Sequence, residues 1–423
     1  MIRFLIKGLL KDRSRSLIPL IVTSFGVMIT VVLHSWLTGI MSESLELNAN
    51  ITTGHMKVMT KAYSEVMDLS PLNLSIIGAD SLVKGLKKSY AGTDWVKRIR
   101  FGGLVDVPDE KGETKAQGPV VGWSLDLLTK GTKEIERFNL KKSLISGSLP
   151  KKTDEGLLTD VFAKRYNIGI GDTFLLFSNT FEGSMSFTNF TVAGTIRFGS
   201  EAIDRGALII DIKAAEKSFN MEDSAPEILG FLEHQYDDEK VNLISEDFNS
   251  LYRNNDDEFR PYMIRMRDQN DMGSIIDYSQ AIGTLMVAIF VGAMSVVLWN
   301  AGLLGGLRRY SEFGIRLAMG EEKIAIYKSL IYEAILIGLI GSITGTISGL
   351  GISYYLQEKG IDISNLMPNS SILMPQIARA NITIAALYIG FIPGLVSTVL
   401  GAVISGIGIF KRKTSMLFKE LEV

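Results

Sequence analysis

Four stretches of the chain, residues 17–41, 278–307, 334–357 and 380–410, contain no Asp, Glu, Lys or Arg. Each supplies the roughly 20 residues that a helix needs to cross a hydrocarbon core about 30 Å thick. Four buried helices of a large soluble protein are the alternative, but uncharged runs of this length are uncommon there. The pattern predicts a membrane protein with four transmembrane α-helices. Composition agrees, since 46% of the 423 residues are hydrophobic and mean hydropathy is +0.21, which is too apolar for an ordinary soluble enzyme of this size.

The flanking cations set an expected orientation. Arg3, Lys7, Lys11, Arg13 and Arg15 precede the first run, Arg308, Arg309, Arg316 and Lys323 lie between the second and third, and Lys411, Arg412, Lys413 and Lys419 follow the fourth. Cations gather on the cytoplasmic side of membrane helices. The expected order is a cytoplasmic interfacial helix (1–16), span one (17–41), an extracytoplasmic α+β domain (42–277), span two (278–307), a cytoplasmic loop (308–328), span three (329–357), a short external loop (358–379), span four (380–410) and a cytoplasmic tail (411–423). In residues 1–16, Arg3, Lys7 and Lys11 recur every fourth position while Ile2, Leu5, Ile6 and Leu9 cover another face, as in a helix lying in the interface. The first run is longer than the apolar core of a signal peptide and Ser42-Glu43-Ser44 offers no clear small-x-small cleavage site, so it is read as uncleaved.

Strand and helix patterns intermix between spans one and two. Trp95, Ile99 and Phe101 alternate with Arg98 and Arg100 as in a half-buried strand; residues 173–177 and 187–192 also read as strands. Residues 80–90 and 159–166 read as helices, the second with Thr159 as its N-cap, followed by a turn at Gly171-Asp172.

Catalytic chemistry is not legible. The chain has no Gly-Lys dipeptide and hence no P-loop, and it has no G-x-S-x-G elbow or H-E-x-x-H pair. With no cysteine there is no disulfide, thiolate metal site or catalytic thiol. His34, His55 and His234 are too scattered for helical metal-ligand spacing, and the acidic runs 237–239 and 256–258 lack EF-hand spacing and read as solvated turns. A net charge of -2 argues against nucleic acid as a partner. No catalytic, cofactor or metal residue is therefore assigned.

Two motifs in the membrane half stand out. Gly341, Gly345 and Gly349 repeat at four-residue spacing in the third span, and Gly390 and Gly394 do so in the fourth, beside Pro393. Such stripes let another helix approach closely, in a second copy or within the chain. Glu333, at the inner end of the third span, reads as an interfacial carboxylate. The second motif is the loop sequence Glu312-Phe313-Gly314-Ile315-Arg316-Leu317-Ala318-Met319-Gly320, too apolar for a plain linker. It predicts a short helix whose Phe313, Leu317 and Met319 project into a partner's groove.

Here the chain resembles the FtsX-like permease family, whose cytoplasmic pattern R-x-x-E-[FI]-G-[IL]-x-x-A-[ML]-G matches Arg309 to Gly320. The four-span plan with one large external insertion is similar to the lipoprotein-releasing permeases LolC and LolE and to the membrane part of MacB. Residues 11–16, 53–58 and 158–172 look like the same family's opening segment and external core. The resemblance implies the permease subunit of an ATP-binding cassette (ABC) complex in a bacterial inner membrane. Residues 312–320 would couple to a separate cassette subunit that binds ATP and Mg, and a second permease chain, identical or different, would complete the complex. It further implies mechanical work on an external substrate, with lipoprotein release as first choice, a MacB-type peptide or drug exporter or an FtsX-like regulator of a cell-wall hydrolase as alternatives, and a lipoprotein or periplasmic carrier as partner besides membrane lipid. Two features depart from the family: residues 178–186 lack the Pro and Arg of the LolC hook, and residues 417–421 only faintly echo the family's C-terminal end.

Overall fold

The computed structural model describes residues 13–109, 111–233, 235–253, 256–269, 271–307, 310–363 and 377–411. The expected interfacial helix (residues 1–12), His234, Arg308, Arg309 and the tail beyond Lys411 lie outside them. The chain divides into two compact units. One holds the residues up to Glu43, Tyr278–Asp362 and those from Ile377 onward; the other holds Ser44–Asp277.

Helix α1, Arg13–Asn48, extends well past residue 41. It widens into a π-helical turn, Ala49–Thr53, and stops at Gly54, whose φ of +63° suits glycine. The second unit then builds a ten-stranded mixed sheet. Its elements are β1 (Met56–Thr60), α2 (Ala79–Ser89), β2 (Thr93–Pro108), β3 (Thr114–Leu125), α3 (Glu134–Arg137), β4 (Leu144–Gly147), β5 (Glu155–Thr159), α4 (Asp160–Tyr166), β6 (Thr173–Asn179), β7 (Met185–Ile196), β8 (Ala207–Asp211), β9 (Glu227–Leu232), α5 (Asp238–Leu251) and β10 (Pro261–Arg265). The strand order is β10-β1-β9-β2-β3-β8-β5-β7-β4, and β6 bridges β2 and β7. That bridge closes β2-β3-β8-β5-β7-β6 into a ring with no free edge among its members. Parallel pairing is confined to β3 with β8 and β5 with β7.

The pleat explains why β8 has no polar side. Leu208 and Ile210 enter one core with Phe101, Phe174, Leu176 and Phe190, while Ala207 and Ile209 enter another with Trp123, Leu125 and Leu157. A strand buried on both faces reads as a continuous apolar run. A third core, around Trp95, Ile228 and Phe248, joins α2 and α5 to the sheet. The β6–β7 connection is a tight turn. The Thr180 N–H donates to Ser184 O at 2.7 Å, Gly183 takes a φ of +82°, and the Phe181 N–H donates to Phe219 O at 2.8 Å. The residues compared with a hook therefore lie in a pinned hairpin.

Two readings from the sequence are corrected. Arg98 does not face water: it is 1% exposed. Its Nε and Nη2 grip Glu134 at 2.7 and 3.1 Å, its Nη1 donates to Asn50 O at 2.6 Å, and Phe138 lies against the guanidinium. A charge becomes tolerable inside a protein when it is paired and its hydrogen bonds are made, so simple alternation failed there. Thr159 occupies the N-cap of α4, but its hydroxyl makes no cap bond and has no partner.

The remaining helices are α6 (Met272–Leu307), α7 (Tyr310–Ala318), α8 (Lys323–Lys359), α9 (Ile384–Tyr388) and α10 (Thr398–Lys411). Four segments are long and apolar enough to cross a membrane: Leu17–Thr53, Met272–Leu304, Lys323–Lys359 and Ile384–Ile407. The third helix begins at Lys323, which shortens the expected loop 308–328. The fourth starts at Ile384 rather than residue 380 and is interrupted, with residues Ile392–Ser397 π-helical around Pro393. Proline lacks the N–H and crowds the preceding turn, and the Thr398 hydroxyl donates back to Gly394 O at 2.6 Å. Before it, residues 379–381 lie along α1. Arg379 gives its N–H and its guanidinium to the Glu43 carboxylate at 3.2 and 3.1 Å, and the Asn381 N–H reaches Ser35 O at 2.8 Å.

Candidate functional site

Helix α7 and the turn after it carry the predicted coupling residues. The helix ends in a Schellman arrangement: the Glu321 N–H donates to Arg316 O and the Gly320 N–H to Leu317 O, both at 3.1 Å, with Gly320 at a φ of +93°. Arg316 locks the turn. Its Nε and Nη2 hold the Glu321 carboxylate at 2.6 and 2.5 Å and its Nη1 reaches Ser329 Oγ on α8 at 3.1 Å. The hydrogen bonds from Arg316 hold the Glu321 carboxyl below its ordinary range. The loop helix is thereby fastened to the start of the third span.

Its two faces are not those expected. Phe313 is 3% exposed and packs with Ile326, Leu330, Ala402 and Ile409, with Leu317 at the edge of that cluster. Phe313 and Leu317 thus face the chain's own helices, which corrects the reading of them as a projecting knob. Ile315, Ala318, Met319 and Gly320 face outward, with Met319 74% and Ile315 50% exposed. Glu312 is half-buried and Gly314 buried. The helix is apolar on two sides, and periodicity identifies both stripes without saying which is turned inward. The repeat of Ile315 and Met319 at four-residue spacing was the signal for the outward one.

The glycine stripe of α8 faces α1 of the same chain. A methyl group added at Gly341 would stand 2.6 Å from Thr23 Cγ2, at Gly345 2.7 Å from Val27 Cβ, and at Gly349 2.8 Å from Val31 Cβ. Gly390 and Gly394 receive Val27 from the other side, at 2.5 Å from added methyls in both cases. Val27 and Val31 are fully buried between these glycines, and Ser24 Oγ and Thr344 Oγ1 hydrogen-bond across the seam at 2.8 Å. The approach predicted from GxxxG spacing is present, with the first span as partner.

Other candidates disperse. His55 bonds Glu46 at 3.1 Å and accepts the Leu232 N–H at 3.0 Å, while His34 meets Thr383 at 3.3 Å. Asp237 caps α5 and Asp257 accepts the Phe259 N–H. Among the described residues no three His, Asp or Glu gather as a metal would need.

Residues 284–414 match the family model described as FtsX-like permease C-terminal, a span that contains α7, its turn and the glycine seam of α8. The macrolide export ATP-binding/permease protein MacB of Agrobacterium fabrum is 28% identical over 108 residues, and its counterpart from Wolinella succinogenes 28% over 106. These matches cover 26% and 23% of this chain and 16% of each relative, so the chain spans only a small part of the curated relatives it matches. The crystal structure of the periplasmic region of MacB from Actinobacillus actinomycetemcomitans aligns over 56% of this chain and 98% of that one, at 12% identity and a TM-score of 0.36, too low to support an argument. The family model agrees with the resemblance drawn from residues 309–320: residues 284–414 are similar to the C-terminal part of FtsX-like permeases.

Proposed function

We propose that the chain is the permease subunit of an ABC transporter in a bacterial inner membrane, with Ser44–Asp277 outside and α7 inside. The observation that carries the proposal is the outward apolar face of α7. Ile315, Ala318 and Met319 stand on a helix that cannot pivot freely, because Arg316, Glu321 and Gly320 fix its end and Phe313 seats its back. A rigid apolar projection of this kind suits a groove on a soluble partner. ATP and Mg would bind in that partner, a cassette subunit, and a second permease chain, identical or different, would complete the assembly.

Closure of the cassettes would move α7, and α8 would move with it. The external unit would then act on its substrate mechanically, without a reaction catalysed by this chain. For the substrate, release of a lipoprotein is the first reading, with a periplasmic carrier receiving it. Export of a drug-like or peptide substrate is the second, favoured by the macrolide export for which the MacB relatives are named.

The test is co-expression with the cassette protein and copurification in mild detergent. Ile315→Asp and Met319→Asp place a carboxylate in an apolar contact and are expected to abolish copurification while leaving insertion and folding intact. Retention of the cassette by both variants would refute the assignment of this face. Topology is checked separately with a cysteine at Asp238→Cys, which should label from outside intact cells; labelling only after the cytoplasmic face is opened reverses the orientation.

A further inference from the structure

The charges on one face of the external sheet do not balance. Strand side chains alternate between faces, so Arg98, Arg100 and Gly102 of β2 share one. The register sets Glu227 of β9 opposite Arg98, and Trp123 and Val121 of β3 opposite Arg100 and Gly102. Three cations here have carboxylates: Lys57 bonds Glu227 at 3.1 Å, Arg98 bonds Glu134 at 2.7 Å and Arg137 bonds Asp94 at 2.6 Å. Arg100 has none among the described residues. It is half-buried, and its Nε is fully enclosed without a hydrogen-bond partner.

Its neighbours do not relieve it. Glu227 Oε1 already receives Lys57 and the Tyr63 hydroxyl, both at 3.1 Å, while Oε2 has no partner, so a free carboxylate oxygen and a free guanidinium nitrogen stay unpaired on one face. Burial pushes the Lys57 ammonium down, Glu227 raises it and Arg100 lowers it again. Burial and then Glu227 push the Tyr63 hydroxyl up, and Arg100 opposes them. The charge of Arg100 is thus felt by the cluster without being neutralised there. Trp123, directly across from Arg100 and 6% exposed, has an Nε1 donor that is likewise buried and unpartnered.

There is room beside these donors. A Cβ added at Gly102, on the face of Arg100, would find no atom within 4 Å, and Val121 across from it is 49% exposed. An enclosed polar group without a protein partner is costly and is ordinarily met by water or a ligand. A guanidinium fork matches a carboxylate or phosphate in two parallel hydrogen bonds, and an indole N–H donates one more. One negative charge would balance the face.

We propose that Arg100, Trp123 and the open space at Gly102 form a binding site for a small organic anion, its carboxylate or phosphate ester on the two donors and its apolar part over Gly102 against Val121. This goes beyond the transporter reading and does not depend on it.

The full chain in detergent is titrated calorimetrically, at fixed ionic strength, with pentanoate, diethyl phosphate and the neutral pentanamide. Saturable binding of either anion and none of the amide is expected, and the tighter anion identifies the acid group. Arg100→Gln should weaken binding about tenfold or more by removing a charged hydrogen bond, with partial recovery in Arg100→Lys. Trp123→Phe keeps an aromatic ring, loses the N–H and should weaken binding several-fold. Gly102→Val places its Cβ where no atom stands, in a strand that suits valine; it should abolish binding at an unchanged melting temperature, and it decides the matter if Arg100→Gln fails to fold. Saturation by neither anion, equal binding of the amide, or binding indifferent to Gly102→Val overturns the proposal.

Discussion

The two units of this chain are packed in opposite senses. In Ser44–Asp277 the largest side chains are inside: Trp95, Arg98, Tyr63, Phe138 and Phe162 are each under 2% exposed. In the membrane unit the interior around Val27 is lined by Gly341, Gly345, Gly349, Gly390, Gly394, Ser342 and Thr346, while Leu285, Ile289 and Ile347 point outward at 60, 64 and 66% exposure. The difference follows from the solvent each unit meets. Water drives bulky apolar groups inward; lipid is as apolar as leucine, so helices associate through close contact and small residues bring them near. The same sequence therefore has to be read with two sets of rules.

The sharpest way to break the first set is at a charge network that water-driven packing has enclosed, Arg98 with Glu134 and Arg137. Glu134→Gln leaves Arg98 buried and without its counter-ion, and losing one partner of such a pair costs about 3–5 kcal/mol. Denaturant unfolding of the detergent-solubilised chain, followed by the fluorescence of Trp95 and Trp123, should show this loss. Burial alone would raise the Glu134 carboxyl, but Arg98 and then Arg137 outweigh it and hold the carboxyl low. A depressed carboxyl contributes its full stability above the pKa of the unfolded chain and loses it as pH falls through the folded value. Wild type should therefore lose stability on acidification below the ordinary carboxylate range. The Gln variant should lose less over that window.

The second set of rules is tested within a single helix. Gly345→Leu would drive a side chain into Val27 and the backbone of Ser24, whereas Gly351, on the same helix, has nothing within 4 Å of an added Cβ. Overpacking of this kind typically costs about 1–3 kcal/mol. Gly345→Leu should lower the thermal stability of the solubilised protein and weaken a disulfide crosslink engineered between α1 and α8. Gly351→Leu, facing outward, should change neither. Equal effects at the two glycines would mean that α8 disfavours leucine for reasons unrelated to the seam.

The same contrast explains what was legible in the sequence. Charge-free runs mark membrane helices because a charge in hydrocarbon is costly, and glycine spacing marks a close approach because nothing larger fits. What neither pattern encodes is which helix makes the approach: Val27 of the first span is far from Gly345 and Gly394 in sequence and meets both. In the external unit, alternation located the strands but misplaced Arg98, whose burial depends on Glu134 and on the carbonyl of Asn50, partners that only the folded sheet brings together. The loop motif was legible as a helix, and Met319 does face outward, but Phe313 and Leu317, read as projecting with it, turn inward. Phe313 is buried by Ile326 and Ile409, residues that lie on two other helices.

The smallest expected effect separates those two faces of α7. Gly320 closes the helix at a φ of +93°, where a Cβ strains the backbone although no neighbouring atom obstructs it. Gly320→Ala should cost roughly 1–2 kcal/mol from backbone strain alone, and Gly320→Asn less, because asparagine visits this region more readily. Global unfolding would barely register the change, since the turn lies at the end of one short helix. Hydrogen exchange would, because the Gly320 and Glu321 amides are the two donors that close the Schellman arrangement. Faster exchange at both amides in the Ala variant, partial recovery in the Asn variant and unchanged protection along α8 would place the effect in the turn. Faster exchange spreading to residues 326–330 would instead mean that the turn and the Phe313 seat loosen together, and the outward face of α7 would then have no rigidity of its own to transmit.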